Sequence, residues 1–548
     1  MSTRTWALAS SLLLVLPAQQ ALAQSEHTHH QEAGAPSSIG RVAFATSCSA
    51  KAQAEFEKGI ALLHSFWYEE ATKEFDAASA ADPACAMAHW GHAISLFHQL
   101  WEAPDTGVRH KALSALESAR KAGSPTPRER AYIEALATYF ELKPKPPADT
   151  ATPDERMLAY RNAMAGVARA FPADDEANIF YALAIIAAAP SGDTTFKEER
   201  RADSLLLPLA EKYPTHPGVV HYIIHANDNP VLAPLALGAA RRYAQLAPAI
   251  PHAQHMPSHI FIRLGLWDDV IASNALATES GTVYEHKEKM DGEWPHNLHT
   301  MDFLQYGDLQ EGRDRDAQRI ADKASRIEKL SGSGYQPLLR YFKAFFPARL
   351  FLERGQWHEA ATLRLGSPAD STSTWSEIVI AFTNALGAAR DRNPSRARIA
   401  VTRLDSLHGV FLQRKDTAAA REAGNLQTAA AAWLQLALGN RDEAVRLAHQ
   451  ASANENDAAE TPLLPAAELE GELLMAVGRP VDARHAFELS LRRNPNRARS
   501  LFGAGYSAAQ AGDASAAGRF YAQYIALMAH GDGGRPELVT AKQFVAAR

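Results

Sequence analysis

Cysteine is nearly missing: the 548-residue chain holds two, Cys48 and Cys85. That excludes a thiolate-rich zinc module, and their separation excludes a C-x-x-C redox pair. Basic excess is missing too, with 56 Lys and Arg against 62 Asp and Glu and a net charge of −6, so a nucleic-acid partner is not expected. After the first apolar run, Trp6 to Leu16, no segment approaches the ~20 apolar residues that a membrane-spanning helix needs. No G-x-x-x-x-G-K, strand-linked G-x-G-x-x-G or G-x-S-x-G motif occurs, which removes the common phosphate-binding and serine-hydrolase readings. Nor do alternating β-branched runs bounded by hairpin turns interrupt the chain.

What is present is a period. Leu62-Leu63-His64-Ser65-Phe66-Trp67 returns 34 residues later as Leu96-Phe97-His98-Gln99-Leu100-Trp101. Near the C-terminus, Gly471, Ala483 and Phe487 are answered by Gly505, Ala517 and Tyr521 at the same offset. Counting from Ala52, Gly59, Ala71, Phe75, Ala78 and Pro83 fall at repeat positions 8, 20, 24, 27 and 32. Small residues let two helices approach, the aromatic fills the gap, and proline ends the second helix. This is the pattern of the tetratricopeptide repeat (TPR), a stacked pair of antiparallel helices. The expected fold is therefore all-α, a TPR-type α-solenoid forming a right-handed superhelix of helix hairpins, in one or two arrays. Residues 46–330 are read as an N-terminal array and 335–548 as a C-terminal one, divided at Ser331-Gly332-Ser333-Gly334. Gly281 to Trp294 reads as a polar insertion.

The first residues read as an export signal. Arg4, the apolar run and Ala21-Leu22-Ala23 match a secretory leader over 1–23, so the mature chain is expected to begin near Gln24 and to be periplasmic or secreted. Residues 24–45, with His27, His29 and His30 and little hydrophobicity, are expected to form a disordered arm. In an oxidising compartment two cysteines invite pairing. Cys48 and Cys85 each precede the leading helix of a repeat, which suits a disulfide; two buried free thiols are the other reading.

Histidine is unevenly spread. Nine of the 22 fall between His216 and His299. His221 and His225 share one helical face, His255 and His259 follow in the next repeat, and His299 stands three residues before Asp302. His252 and His296 belong to the same dense stretch, 216–302. Leading helices of successive repeats line one face, about 8–10 Å apart, so His221, His225, His255, His259, His299 and Asp302 are candidate ligands for zinc, copper or iron. His221, His225, His255 and His259 are the expected core of the site. The glutamate of H-E-x-x-H is absent, so that motif's general base is not supplied. Pro257 marks either a helix start or a kink, and the two options aim the rings differently. The competing reading makes these histidines packing and capping residues with no metal. His64, Trp67, His98 and Trp101 are candidates for a ligand groove on the concave side, joined by Tyr222, Phe261 and Tyr306 if the superhelix closes on a pocket.

Thr46-Ser47-Cys48-Ser49, Leu63-His64-Ser65-Phe66-Trp67-Tyr68-Glu69-Glu70-Ala71, His216-Pro217-Gly218-Val219-Val220-His221-Tyr222, His255-Met256-Pro257-Ser258-His259-Ile260-Phe261 and His299-Thr300-Met301-Asp302-Phe303-Leu304 resemble segments of a group of exported bacterial TPR proteins. The resemblance covers residues 40 to 310 and implies a TPR fold and export; it assigns no reaction. On this reading the chain is an exported scaffold that binds a protein or peptide through its concave face. The alternative is a metal-binding protein or metal-dependent hydrolase built on residues 221–302.

Overall fold

In the computed structural model, residues 38–100, 103–143, 151–190, 192–332, 336–365, 373–455 and 460–547 are described. The expected leader, residues 24–37 of the expected arm and Trp101 lie outside them. Helices follow one another from Ala50–His64 to Pro536–Ala546, and no strand occurs among the described residues. Each helix packs on the next in chain order, and leading helices of neighbouring hairpins also touch side by side. The fold is thus an all-α, TPR-type solenoid. No helix among the described residues is long and apolar enough to cross a membrane.

The repeat interlock has a direct steric cause. A Cβ added to Gly59 would sit 2.7 Å from the Phe75 ring, and one added to Gly91 of the next repeat 2.3 Å from it. Phe75, fully buried, is therefore clamped between two glycines on consecutive leading helices. Phe487 is held in the same way, with Gly471 and Gly503 at 2.9 and 2.5 Å. The disulfide Cys48–Cys85 staples the first two repeats at their N-terminal ends.

Two local expectations meet a different arrangement. Residues 38–45 are packed rather than loose: Phe44 is fully buried against Phe56, Trp90 and Tyr132, and the Arg41 amide donates to the Thr215 carbonyl at 3.0 Å. An aromatic with that many partners pins the strip to the first repeats. Gly281 to Glu288 forms the last turns of the helix Trp267–Glu288 rather than an insertion. Gly281 is required there because Asn297 of the next helix approaches to 2.0 Å from where a Cβ would stand.

The superhelix also meets itself. Gly265 ends the helix Pro257–Leu264 in the left-handed region (φ 65°), and any Cβ there would lie 2.2 Å from the carbonyl oxygen of Pro495. Trp267 Nε1 donates to the Asn496 carbonyl at 2.9 Å, and Asn496 Nδ2 returns a bond to the Gly265 carbonyl at 3.1 Å. Beside this seam, the fully buried Arg497 pairs with Glu353 and Glu468 and donates to Tyr306 Oη.

Candidate metal centre

The helix Pro217–Ala226 begins at His216, whose Nδ1 accepts from the Val219 amide at 3.3 Å. The other ring nitrogen, Nε2, then donates to Glu176 Oε1 at 2.8 Å. Glu176 Oε2 accepts in turn from His64 Nε2 at 3.0 Å, and His64 Nδ1 accepts from Tyr222 Oη at 2.9 Å. Burial opposes the Glu176 charge, yet His216 and His64 hold its carboxyl well below the usual range. Burial lowers the pKa of His64. Every polar atom in this trio has a partner, so hydrogen bonding alone accounts for it.

Its role is to fix a backbone carbonyl. His64 O accepts from His221 Nδ1 at 2.7 Å. His221 Nε2 therefore carries a lone pair when the ring is neutral, and it points at two more imidazoles. His225 Nε2 lies 3.0 Å away and His252 Nε2 3.2 Å away. One lone pair can accept at full strength from only one of them, so two imidazole nitrogens crowd a single acceptor. Ligands about 2.0–2.1 Å from a tetrahedral ion stand about 3.3 Å apart, which is close to the spacing found here. Burial lowers the pKa of all three rings, that of His225 to about 3.

A second group of three adjoins the first. Pro257 opens the helix Pro257–Leu264 directly after the short helix Pro251–His255, so the chain restarts rather than kinks within one helix. His255 Nδ1 donates to Asn274 Oδ1 at 2.6 Å, the amide being oriented by its own bond to the Val270 carbonyl. His259 Nδ1 lies 2.9 Å from Asp228 Oδ2 and 2.9 Å from Glu460 Oε1. With both Nδ1 atoms committed, the two Nε2 atoms meet at 3.0 Å. The ligand atoms of His255, His259 and His299 all lie within 4.8 Å of one another. Burial opposes charge on His259, but Glu460 and Asp228 outweigh it and hold its pKa up at about 10. Its Nε2–H then donates to His255, and an incoming cation would displace that proton. A carboxylate behind a ligating imidazole is the usual outer-shell arrangement and raises ligand basicity.

The two groups are contiguous. Ring centroids of His252 and His255 are 6.1 Å apart, and those of His225 and His259 6.4 Å apart. His221 and His255 are fully buried, whereas His225 and His299 are half-buried.

The remaining candidate residues lie elsewhere. Asp302 stays out of the histidine groups because Arg349, fully buried, takes one carboxylate oxygen and Thr461 Oγ1 donates to the other at 2.9 Å. His64 is fully buried in the trio above rather than exposed on a groove. Trp67 packs edge-on against Tyr284, and His98 stacks on Tyr68. Tyr222 serves the trio, Phe261 belongs to the apolar core, and Tyr306 meets Arg497. Sequence spacing underrated His252, which completes the first group, and passed over Glu460, which lies 201 residues from the imidazole it supports. Asp268, Glu311 and His530 also approach one another, but Arg313 already pairs with both acids there.

No protein-family model matches the chain, and no curated protein matches it. Among solved structures it is similar to a human IFIT1 dimer with PPP-AAAA (11% identity over 81% of this chain and 90% of that one, TM-score 0.30). It is also similar to the TPR domain of P58(IPK) (13% identity, 84% and 99%, TM-score 0.21) and to yeast Tom70 (12% identity, 90% and 95%, TM-score 0.25). These likenesses concern helical-repeat architecture, and nothing about function follows from them.

Proposed function

We propose that this chain is an exported metal-binding protein whose solenoid holds transition-metal ions on histidines of residues 221–299. The observation that carries the reading is the triple meeting at His221 Nε2. Its other nitrogen is spent on the His64 carbonyl, and two imidazole nitrogens approach it within 3.0 and 3.2 Å. Packing histidines normally share their protons with oxygen acceptors; here nitrogen faces nitrogen, an arrangement a cation satisfies. Imidazole donors suit zinc, copper and iron. The protein-binding use common to helical solenoids stands beside this reading, since a buried centre leaves the outer surface free for partners. Export is supported by the leader-like residues 1–23 and agrees with the Cys48–Cys85 disulfide.

The test is elemental mass spectrometry on untagged protein purified from an exported fraction without chelator. At least one equivalent of transition metal is expected, with less bound in His221→Ala and His225→Ala. A metal-free protein that also fails to bind zinc, copper and iron when titrated would overturn the proposal. Terminal sequencing of the same sample should find a start near Gln24.

A further inference from the structure

The two histidine groups share features that separate storage sites do not need. Each consists of three imidazoles with no thiolate, and His259 alone is shared with a further converging set, Asp228 and Glu460. They touch along two edges, His225 with His259 and His252 with His255. Between them stands His296, its ring centroid 5.7 Å from His252 and 5.8 Å from His255. One nitrogen of His296 bonds the Pro251 carbonyl, while Nε2 is buried with no hydrogen-bond partner. A buried unpaired nitrogen costs free energy, and here it points to a missing neighbour at the junction of the two groups.

The charge balance narrows the occupant. Once the cation has displaced the His259 proton, the six neutral imidazoles bring no negative charge. The nearest acids, Asp228 and Glu460, lie behind His259 and share their charge with Arg263, 3.0 Å from Asp228. Two divalent ions would bring four positive charges into an interior that supplies little to offset them, a heavy desolvation penalty. Two copper(I) ions bring half as much, and imidazole nitrogen is a donor that copper accepts. The divalent state then calls for an anion shared between the ions.

We propose that His221, His225 and His252 hold one copper ion, that His255, His259 and His299 hold a second, and that the pair binds a small bridging anion or dioxygen between them. The assignment rests on the metal-binding reading above and deepens it. Copper supports dioxygen chemistry. Each copper(I) gives one electron to dioxygen, producing two copper(II) ions and one bridging peroxide dianion; no proton moves and no atom leaves. His296 Nε2 would accept a proton-bearing bridge such as hydroxide, which explains an acceptor buried at that place.

The experiment loads the untagged full chain anaerobically with copper(I), supplied as its acetonitrile complex, and counts bound ions against a copper(I) chelator. The loaded protein is then opened to air and examined by electron paramagnetic resonance. Two ions per chain are expected, falling to one in His252→Gln and in His299→Gln. After oxidation the wild type should be nearly silent, because a shared bridge couples the two spins, while each variant shows the signal of one isolated ion. Azide should alter the optical spectrum of the oxidised wild type and not that of the variants.

One ion per wild-type chain would overturn the pair and leave the metal-binding proposal standing. Two ions with two uncoupled signals would overturn the shared ligand. Preference for zinc at equal free concentrations would overturn the copper assignment, and no metal at all would sink both proposals. The wild-type count and spectrum decide these outcomes even if a variant folds poorly.

Discussion

Glu460 Oε1 lies 2.9 Å from His259 Nδ1, although 201 residues separate the two in the chain. The contact exists only because the C-terminal repeats return to the His-rich region. It makes one histidine group dependent on a distant part of the fold. Glu460→Gln keeps the shape but removes the charge, and outer-shell changes of this kind lower metal affinity about 10–100-fold. Competition titration should therefore show one weakened site, with the site at His221 unaffected.

The Phe75 clamp predicts a contrast between two glycines. In Gly91→Ala the new methyl would meet the Phe75 ring at 2.3 Å, and overpacking of this kind costs about 1–3 kcal/mol. Gly166, in the helix Pro153–Ala170, has nothing within 4 Å of an added Cβ. Gly166→Ala should be neutral or stabilise by about 0.5–1 kcal/mol. Urea unfolding of both variants checks the pair.

The disulfide closes a segment of 37 residues across the first two repeats. Replacing Cys48 and Cys85 together by serine should cost about 3–4 kcal/mol through the greater freedom of the unfolded chain. The wild type should lose a similar amount under reductant, and the double variant should not respond to it.

Acid stability should depend on Glu472, which is half-buried between Arg390 and Arg499. Burial works against its charge, but the two guanidinium groups bring its pKa down from 4.5 to about 2. A lowered carboxylate pKa stabilises the fold above the unfolded value and loses that contribution as pH falls. The effect is thus complete above pH 4.5 and fades towards about pH 2. Glu472→Gln should cost about 1–3 kcal/mol at neutral pH, as removing a charged hydrogen-bond partner does. The gap from wild type should close on acidification, read from denaturant midpoints across the pH series.

The helical repeat was legible because its cause is local. Gly59 and Phe75 are 16 residues apart in one hairpin, and the steric rule linking them is written in residue size. The histidine region was legible only as a density. Its division into two groups depends on Pro257 restarting the helix, which brings His259 to His255 while His252 turns back to His221. Asp302 looked available from spacing alone, but Arg349, 47 residues further on, claims it. Partners such as Glu460 and the His64 carbonyl enter through tertiary closure, and no period in the sequence encodes that.

The seam where Gly265 meets Pro495 has a further consequence. Open solenoids can gain or lose a repeat by duplication or deletion, because each unit answers only to its neighbours. Here an extra hairpin between residues 265 and 495 would carry Asn496 away from Trp267 and slide Glu460 off His259. The number of hairpins in that interval is therefore held fixed, as the number of staves is in a hooped cask. Insertions in this lineage should be found outside the ring or in its loops, and the interval itself should keep its number of hairpins even where its surface residues drift.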